Sequence, residues 1–103
     1  MKIPFRPLGK VREIVQAAEF DVAYAYDDLV FSDHSMFVLR FDDDVPSKLH
    51  LYFNVECDTS EAARMEKLLV TAGQVGEMNI VNAGKFEVKQ VDDKEELEVV
   101  FFQ

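Results

Sequence analysis

Apolar residues recur at helical spacing in the first part of the chain. Within residues 8–20, Val11, Ile14, Val15 and Ala18 stand at i, i+3, i+4 and i+7, which is the stripe of an amphipathic helix. Pro7 suits the first turn of such a helix, where its missing N–H costs nothing. We therefore expect a helix of about three turns with one face on the core.

A second helix is predicted after residues 58–61, whose Asp-Thr-Ser-Glu sequence is typical of a capping box. Its apolar stripe is Ala62, Met65, Leu68, Leu69 and Ala72. Gly73 or Gly76 is expected to end the helix, and we favour an end near Gly73, because glycine inside a helix costs about 1 kcal/mol relative to alanine.

Between and after the helices the hydrophobic period changes to two, which indicates strands. The predicted strands are residues 23–31, 36–41, 48–57, 85–91 and 97–102, with an ambiguous apolar run at 78–81. The clearest is 48–57, where Leu49, Leu51, Phe53, Val55 and Cys57 share one face. The order α-β-β-β-α-β-β predicts an α+β fold. Residues 1–103 would form one domain, with a single antiparallel sheet of about five strands and two helices on one face.

Two helices cannot cover both faces of this sheet, so the surplus apolar residues predict an interaction surface. A polar-aromatic row on the 48–57 strand adds to it. The predicted partner or dimer surface is Met36, Val38, His50, Tyr52, Asn54, Val100 and Phe102. We expect a homodimer through this face or a free sheet edge. The alternative is that residues 1–7 fold over the face through Ile3 and Phe5, which would leave a monomer.

Charge and cysteine content limit the cellular compartments and the classes of partner that fit this chain. The chain has 11 Lys and Arg against 20 Asp and Glu, a net charge of −9, which disfavours nucleic acid and anionic lipid as ligands. No apolar run approaches the ~20 residues of a membrane span, and no signal peptide is recognisable. One cysteine favours a reducing compartment. We expect a cytoplasmic protein.

The chain carries no recognisable catalytic, metal or cofactor motif. Asp33-His34-Ser35 holds the residue types of a hydrolase triad, but adjacent turn residues do not converge as a triad must. The run Asp42-Asp43-Asp44 lacks the ligand spacing of a calcium loop. Cys57 is expected to be a buried small hydrophobe. No catalytic residue, metal or cofactor is therefore predicted.

The order of elements resembles the type III secretion chaperone-like superfamily, including its sensory-transduction-regulator-like branch. The resemblance rests on the meander through residues 28–31, 36–41 and 49–53, and on the helix around 65–69. The chain stops after the last strand, without the final helix of that superfamily, and Leu68-Leu69-Val70-Thr71-Ala72-Gly73 departs from the Leu-Leu-x-Ala-Asn helix end of secretion chaperones. The resemblance implies a small acidic bacterial protein that binds other proteins, and no residue role.

These observations together favour a non-enzymatic protein-binding module, resembling a small acidic secretion chaperone or regulator, with an unidentified protein partner. One alternative is an acidic inhibitor or nucleic-acid mimic that binds a basic partner through its charge. The other is a small ligand-binding or enzymatic domain, which would need a pocket with converging polar groups.

Overall fold

A computed structural model describes residues 8–26, 28–90 and 97–102 of the chain. It contains two α-helices and six strands joined mostly by short turns. The elements are α1 (Leu8–Ala17), β1 (Val22–Tyr26), β2 (Leu29–Ser32), β3 (Phe37–Phe41), β4 (Lys48–Asn54), α2 (Thr59–Val75), β5 (Asn79–Gln90) and β6 (Leu97–Phe102), with a 3₁₀ turn at Asp33–Ser35.

All six strands belong to one sheet, in the order β1-β2-β3-β4-β5-β6. The predicted α+β class with two helices is confirmed, but the fully antiparallel sheet is wrong. β4 and β5 run parallel, while all other neighbours are antiparallel. The physical reason is that α2 connects β4 to β5, and a crossover helix returns the chain to the start of a parallel neighbour.

The prediction of about five strands also missed one strand at the start of the sheet. The predicted strand 23–31 is a hairpin, in which β1 pairs antiparallel with β2 from Val22 opposite Ser32 to Tyr26 opposite Leu29. The sequence does carry a signal for this break, since Asp28 stands directly before β2 and aspartate is depleted in strands.

The predicted runs 78–81 and 85–91 are two parts of the single strand β5. In the pairing with β4, Asn82 stands opposite Leu51 and Gly84 opposite Tyr52, so Ala83 is an extra residue in the ladder. Gly84 has φ 139°, a backbone conformation that glycine adopts without strain. The Asn82-Ala83-Gly84 segment between the two predicted runs is therefore a bulge within the strand.

Helix α2 begins as predicted at Asp58, whose side chain accepts a hydrogen bond from the Ser60 amide at 2.7 Å. The reciprocal bond of a capping box does not form, because the Glu61 carboxylate accepts from Arg64 at 2.9 Å instead. The helix continues past Gly73 to Val75 and ends at Gly76.

The main core, called here the helix-side core, lies between the two helices and one face of the sheet. It contains Val11, Ile14 and Val15 of α1 and Met65 and Leu69 of α2. The sheet supplies Val30, Phe37, Leu39, Phe41, Leu49, Leu51, Phe53 and Ile80. The two apolar stripes and the alternation of β3 and β4 predicted nearly all of these contacts.

The opposite face carries a second buried group, called here the far-side cluster. Its buried members are Phe31, Val38, Tyr52 and Phe86, packed with Leu29, Ala83, Val88, Val99 and Phe101. Phe31 and Phe86 belong to β2 and β5, which would stand about 14 Å apart in a flat sheet. Their rings nevertheless lie 6.2 Å apart, because the sheet curls toward this face. Residues 1–7, the alternative cover for it, lie outside the described residues.

No helix in the described part of the chain is long and apolar enough to cross a bilayer.

Candidate functional site

The predicted partner surface does not form one continuous face. Val38 and Tyr52 belong to the far-side cluster, whereas Met36 packs against the helix-side core. Met36 precedes β3 and has helical backbone angles, so strand alternation does not extend to it. In β6, Val99 and Phe101 face the far-side cluster. Their alternate neighbours Val100 and Phe102 therefore lie on the helix side.

Two members of the predicted set are covered within the chain itself. Val38 is fully buried, and Tyr52 is 7% exposed, with its ring 4.5 Å from the ring of Phe101. The curl of the sheet accounts for this, since it brings β6 over β4. A partner could not contact Val38 without opening the far-side cluster, whereas Tyr52 also lines a concavity together with His50 and Arg40.

The polar row His50, Tyr52, Asn54 serves separate local contacts. The His50 Nε2 atom lies 2.9 Å from a carboxylate oxygen of Asp42, which ties β4 to the turn after β3. The Asn54 amide donates to the Ser35 carbonyl at 3.1 Å. These bonds hold the turns at the two ends of the strand and do not converge on one point.

A groove of about 350 Å³ lies between α2 and the β5–β6 hairpin and is called here the α2 groove. Its apolar and small side chains come from both elements, and Phe102 forms one wall with 41% of its surface exposed. The lining residues are Phe53, Asn54, Cys57, Thr59, Ala62, Ala63, Glu66, Asn82, Gly84, Lys85 and Phe102.

The α2 groove exists because small residues face each other across it. Ala62 and Ala63 supply the helix wall, and the bulge places Gly84 in the opposite strand. Deeper along the helix the gap is bridged by a 2.7 Å hydrogen bond from the Asn82 amide to the Glu66 carboxylate. The groove is therefore closed by a polar contact at one point and stays open beside Phe102.

A second, more polar groove of about 260 Å³ adjoins the first at Asn54 and Cys57, and is called here the turn groove. Three carboxylate residues line it, Glu56, Asp58 and Glu61. Its remaining walls are His34, Ser35, Met36 and Met65. Three residues of the predicted surface, Met36, Asn54 and Phe102, thus line two adjoining grooves.

Cys57 lies between the grooves and is half-buried, so its predicted burial is only partial. The predicted strand 48–57 ends at Asn54, and Val55 is 40% exposed, which places both residues in the turn before α2. Burial raises the pKa of the Cys57 thiol, and the nearby Asp58 and Glu61 charges raise the same pKa further. A raised pKa lowers the thiolate fraction, which is the opposite of what a nucleophile needs.

A third concavity of about 300 Å³ lies where β3 ends and β4 begins. Arg40 donates to Asp28 at 2.9 Å and its guanidinium stands 5.5 Å from the Phe101 ring centroid. The hydrogen bond to Asp28 raises the pKa of Arg40. The described residues lining this concavity include no serine or cysteine beside His50.

Across the described residues, no three side chains of His, Cys, Asp or Glu come together as a metal would require. The chain matches no protein-family model, no curated protein and no solved structure. The geometry of the grooves is therefore the basis for any functional argument.

Sequence reasoning missed Ala62, Ala63, Glu66, Asn82 and Lys85 as groove residues. A pair of alanines in the first turns of α2 and a glycine at the bulge were visible, but small residues are equally common where elements pack closely. The groove depends on which strand lies beside α2, and that pairing is not local in sequence.

Proposed function

We propose that the protein is a non-enzymatic protein-binding module that contacts its partner through β6 and the α2 groove. The observation that carries the proposal is the position of β6 at the end of the described sheet. In the described part of the chain no strand pairs with its outer edge. Such an edge accepts an added strand from another protein, with side-chain specificity supplied by adjacent pockets.

The side chains of β6 support this proposal. Val99, Val100 and Phe101 are only partly buried and Phe102 is exposed, so apolar surface is available on both sides of the edge. A partner that covers these side chains would gain about 25 cal/mol for each Å² of still exposed apolar surface that it buries. The absence of charge on residues 99–102 removes one of the usual protections against edge pairing.

A homodimer is the self-association that this edge favours, since two copies of β6 could pair about a twofold axis. The formal charges on β5 and β6 favour this pairing, because Lys85 and Lys89 balance Glu87 and Glu98. These two strands are therefore neutral in formal charge, but four acidic residues and one lysine stand between them at positions 92–96, so repulsion between two copies is reduced only along the strands themselves.

Site-specific photo-crosslinking tests the binding function. A benzoylphenylalanine at position 102 is expected to crosslink a protein, either a second copy or another chain, in cells that express the protein natively. Val75 provides the matched control position, because it is 83% exposed and lies at the opposite end of α2. Crosslinks at position 102 and not at 75 support the proposal. Equal products at both positions, or none at 102, contradict it.

A further inference from the structure

The α2 groove and the turn groove differ in chemistry although they meet at Asn54 and Cys57. The α2 groove offers the apolar surfaces of Phe53, Ala62 and Phe102. It suits an apolar side chain of an extended segment, since a strand added at β6 would lie beside it.

The turn groove is acidic. Glu56, Asp58 and Glu61 line it, and Glu66 lines the adjoining α2 groove. Among the described residues, Lys85 is the one lysine or arginine that lines either groove. The N-terminus of α2 contributes a partial positive charge of about half a unit. The combined negative charge of these carboxylates is larger, so the groove stays negative. Glu61 bonds Arg64, but both side chains are more than half exposed, and an exposed pair of this kind is exchanged at little cost.

We infer that the two grooves together bind an extended segment of another protein in which an apolar side chain stands beside a short run of lysine or arginine. The apolar side chain enters the α2 groove, and the basic residues lie over Glu56, Asp58 and Glu61. This inference rests on the proposed function and names its partner class. Charge complementarity favours this occupant of the two grooves over the β6 strand of a second copy, which includes no cation, so the segment and a homodimer through β6 would compete for the same edge.

The β3–β4 turn provides an internal comparison. Asp42, Asp43 and Asp44 lie there in succession, and Asp42 accepts from the Asp44 and Val45 amides. This turn is acidic like the turn groove but lies away from the α2 groove. A ligand attracted by charge alone would bind both places, whereas the inferred segment binds only beside the α2 groove.

The probe is a nine-residue fluorescent peptide with three apolar residues at alternate positions and three lysines at one end. One version carries the lysines at its N-terminal end and the other at its C-terminal end. Two matched peptides replace the lysines by glutamates or the apolar residues by serines. Fluorescence anisotropy is expected to show binding of one lysine peptide and neither matched peptide. Raising salt from about 0.05 M to about 0.5 M is expected to weaken binding about 3- to 10-fold.

Two variants locate the site by charge and by shape. Glu56→Gln with Glu61→Gln is expected to weaken binding about 3- to 10-fold at low salt, while Glu13→Gln with Asp44→Asn, which removes the same charge elsewhere, changes it less than about twofold. Ala63→Trp fills the groove from an exposed helix position and is expected to weaken binding at least about tenfold. Thr71→Trp, on the same helix outside the groove, is its control.

Amide chemical-shift mapping on the unmodified protein removes any dependence on variant folding. Peptide addition is expected to move the signals of Asn54, Cys57, Ala63, Lys85 and Phe102. Shifts confined to Asp42–Asp44, or equal loss of affinity in target and control variants, overturn the inference. Failure of every peptide to bind also overturns it, while the crosslinking at position 102 still decides the proposed function separately.

Discussion

Among the described residues, Asp42 is the side chain whose pKa is shifted furthest from its ordinary value. The hydrogen bond to His50, with two backbone amides from Val45 and Asp44, lowers the pKa of Asp42 from its ordinary 3.8 to about 2. All three donors favour the ionised carboxylate over the protonated acid. The pair therefore links the charge of one side chain to the conformation of the β3–β4 turn.

Asp42→Asn is expected to flatten the acid side of the stability profile. Because the folded-state pKa is depressed, the stabilisation is present above pH 4 and is lost as pH falls from about 4 toward 2. Urea unfolding of both proteins from about pH 2 to pH 7 measures this. The free energies of unfolding should converge at the acid end and separate near neutrality. A constant difference across the whole range would contradict the assignment.

At the scale of elements, two helical glycines have opposite surroundings. Gly9 in α1 has no heavy atom within 4 Å of the place where a Cβ would stand. A Cβ on Gly73 would lie 2.9 Å from Ile80 Cδ1 and 3.0 Å from the Met78 carbonyl oxygen. Gly73 therefore lies within α2, where its missing side chain lets β5 approach the helix, and the helix ends at Gly76, the other predicted stop.

The pair Gly9→Ala and Gly73→Ala tests that account. Gly9→Ala is expected to stabilise the protein by about 0.5 kcal/mol, since alanine has the higher helix propensity and meets no neighbour. Gly73→Ala is expected to destabilise it by about 1–3 kcal/mol, because overpacking against β5 outweighs the propensity gain. Chemical denaturation gives both values. A stabilising Gly73→Ala would show that α2 does not pack on β5 at this distance.

At the scale of the whole molecule, the homodimer expected from the sequence is best tested with β6 variants. We expect light scattering to detect a dimer at tens of micromolar in about 0.15 M salt, and association to strengthen as salt rises because the subunits share a net charge of −9. This salt dependence is opposite to that expected for the basic peptide.

Phe102→Asp is expected to abolish the dimer and leave the subunit folded, because Phe102 is 41% exposed. Val100→Asp, at a half-buried position, should act in the same direction with some loss of stability. Val38→Asp is the control for core disruption, since an unpaired charge at this fully buried position should cost about 3–5 kcal/mol. A strict monomer under these conditions contradicts the homodimer and leaves binding of another protein to the crosslinking test.

The elements whose residues interact locally could be predicted from the amino-acid sequence alone. The stripe of α1, the Asp58 cap of α2 and the alternation of Leu49, Leu51 and Phe53 all follow from helical or strand period, and periodicity is a property of neighbouring residues. Because these patterns also fix which face is buried, most of the helix-side core could be predicted from them.

The arrangement of the strands could not be predicted from local patterns. The parallel β4–β5 pair, the curl that buries Val38 and Tyr52, and the split of the predicted surface between two faces depend on contacts between distant residues. The grooves depend on the same contacts, since the Ala62–Ala63 wall becomes a groove only when Gly84 and Phe102 are placed opposite it. Strand pairing depends on the packing of the whole chain, and the local hydrophobic period does not predict which strands become neighbours.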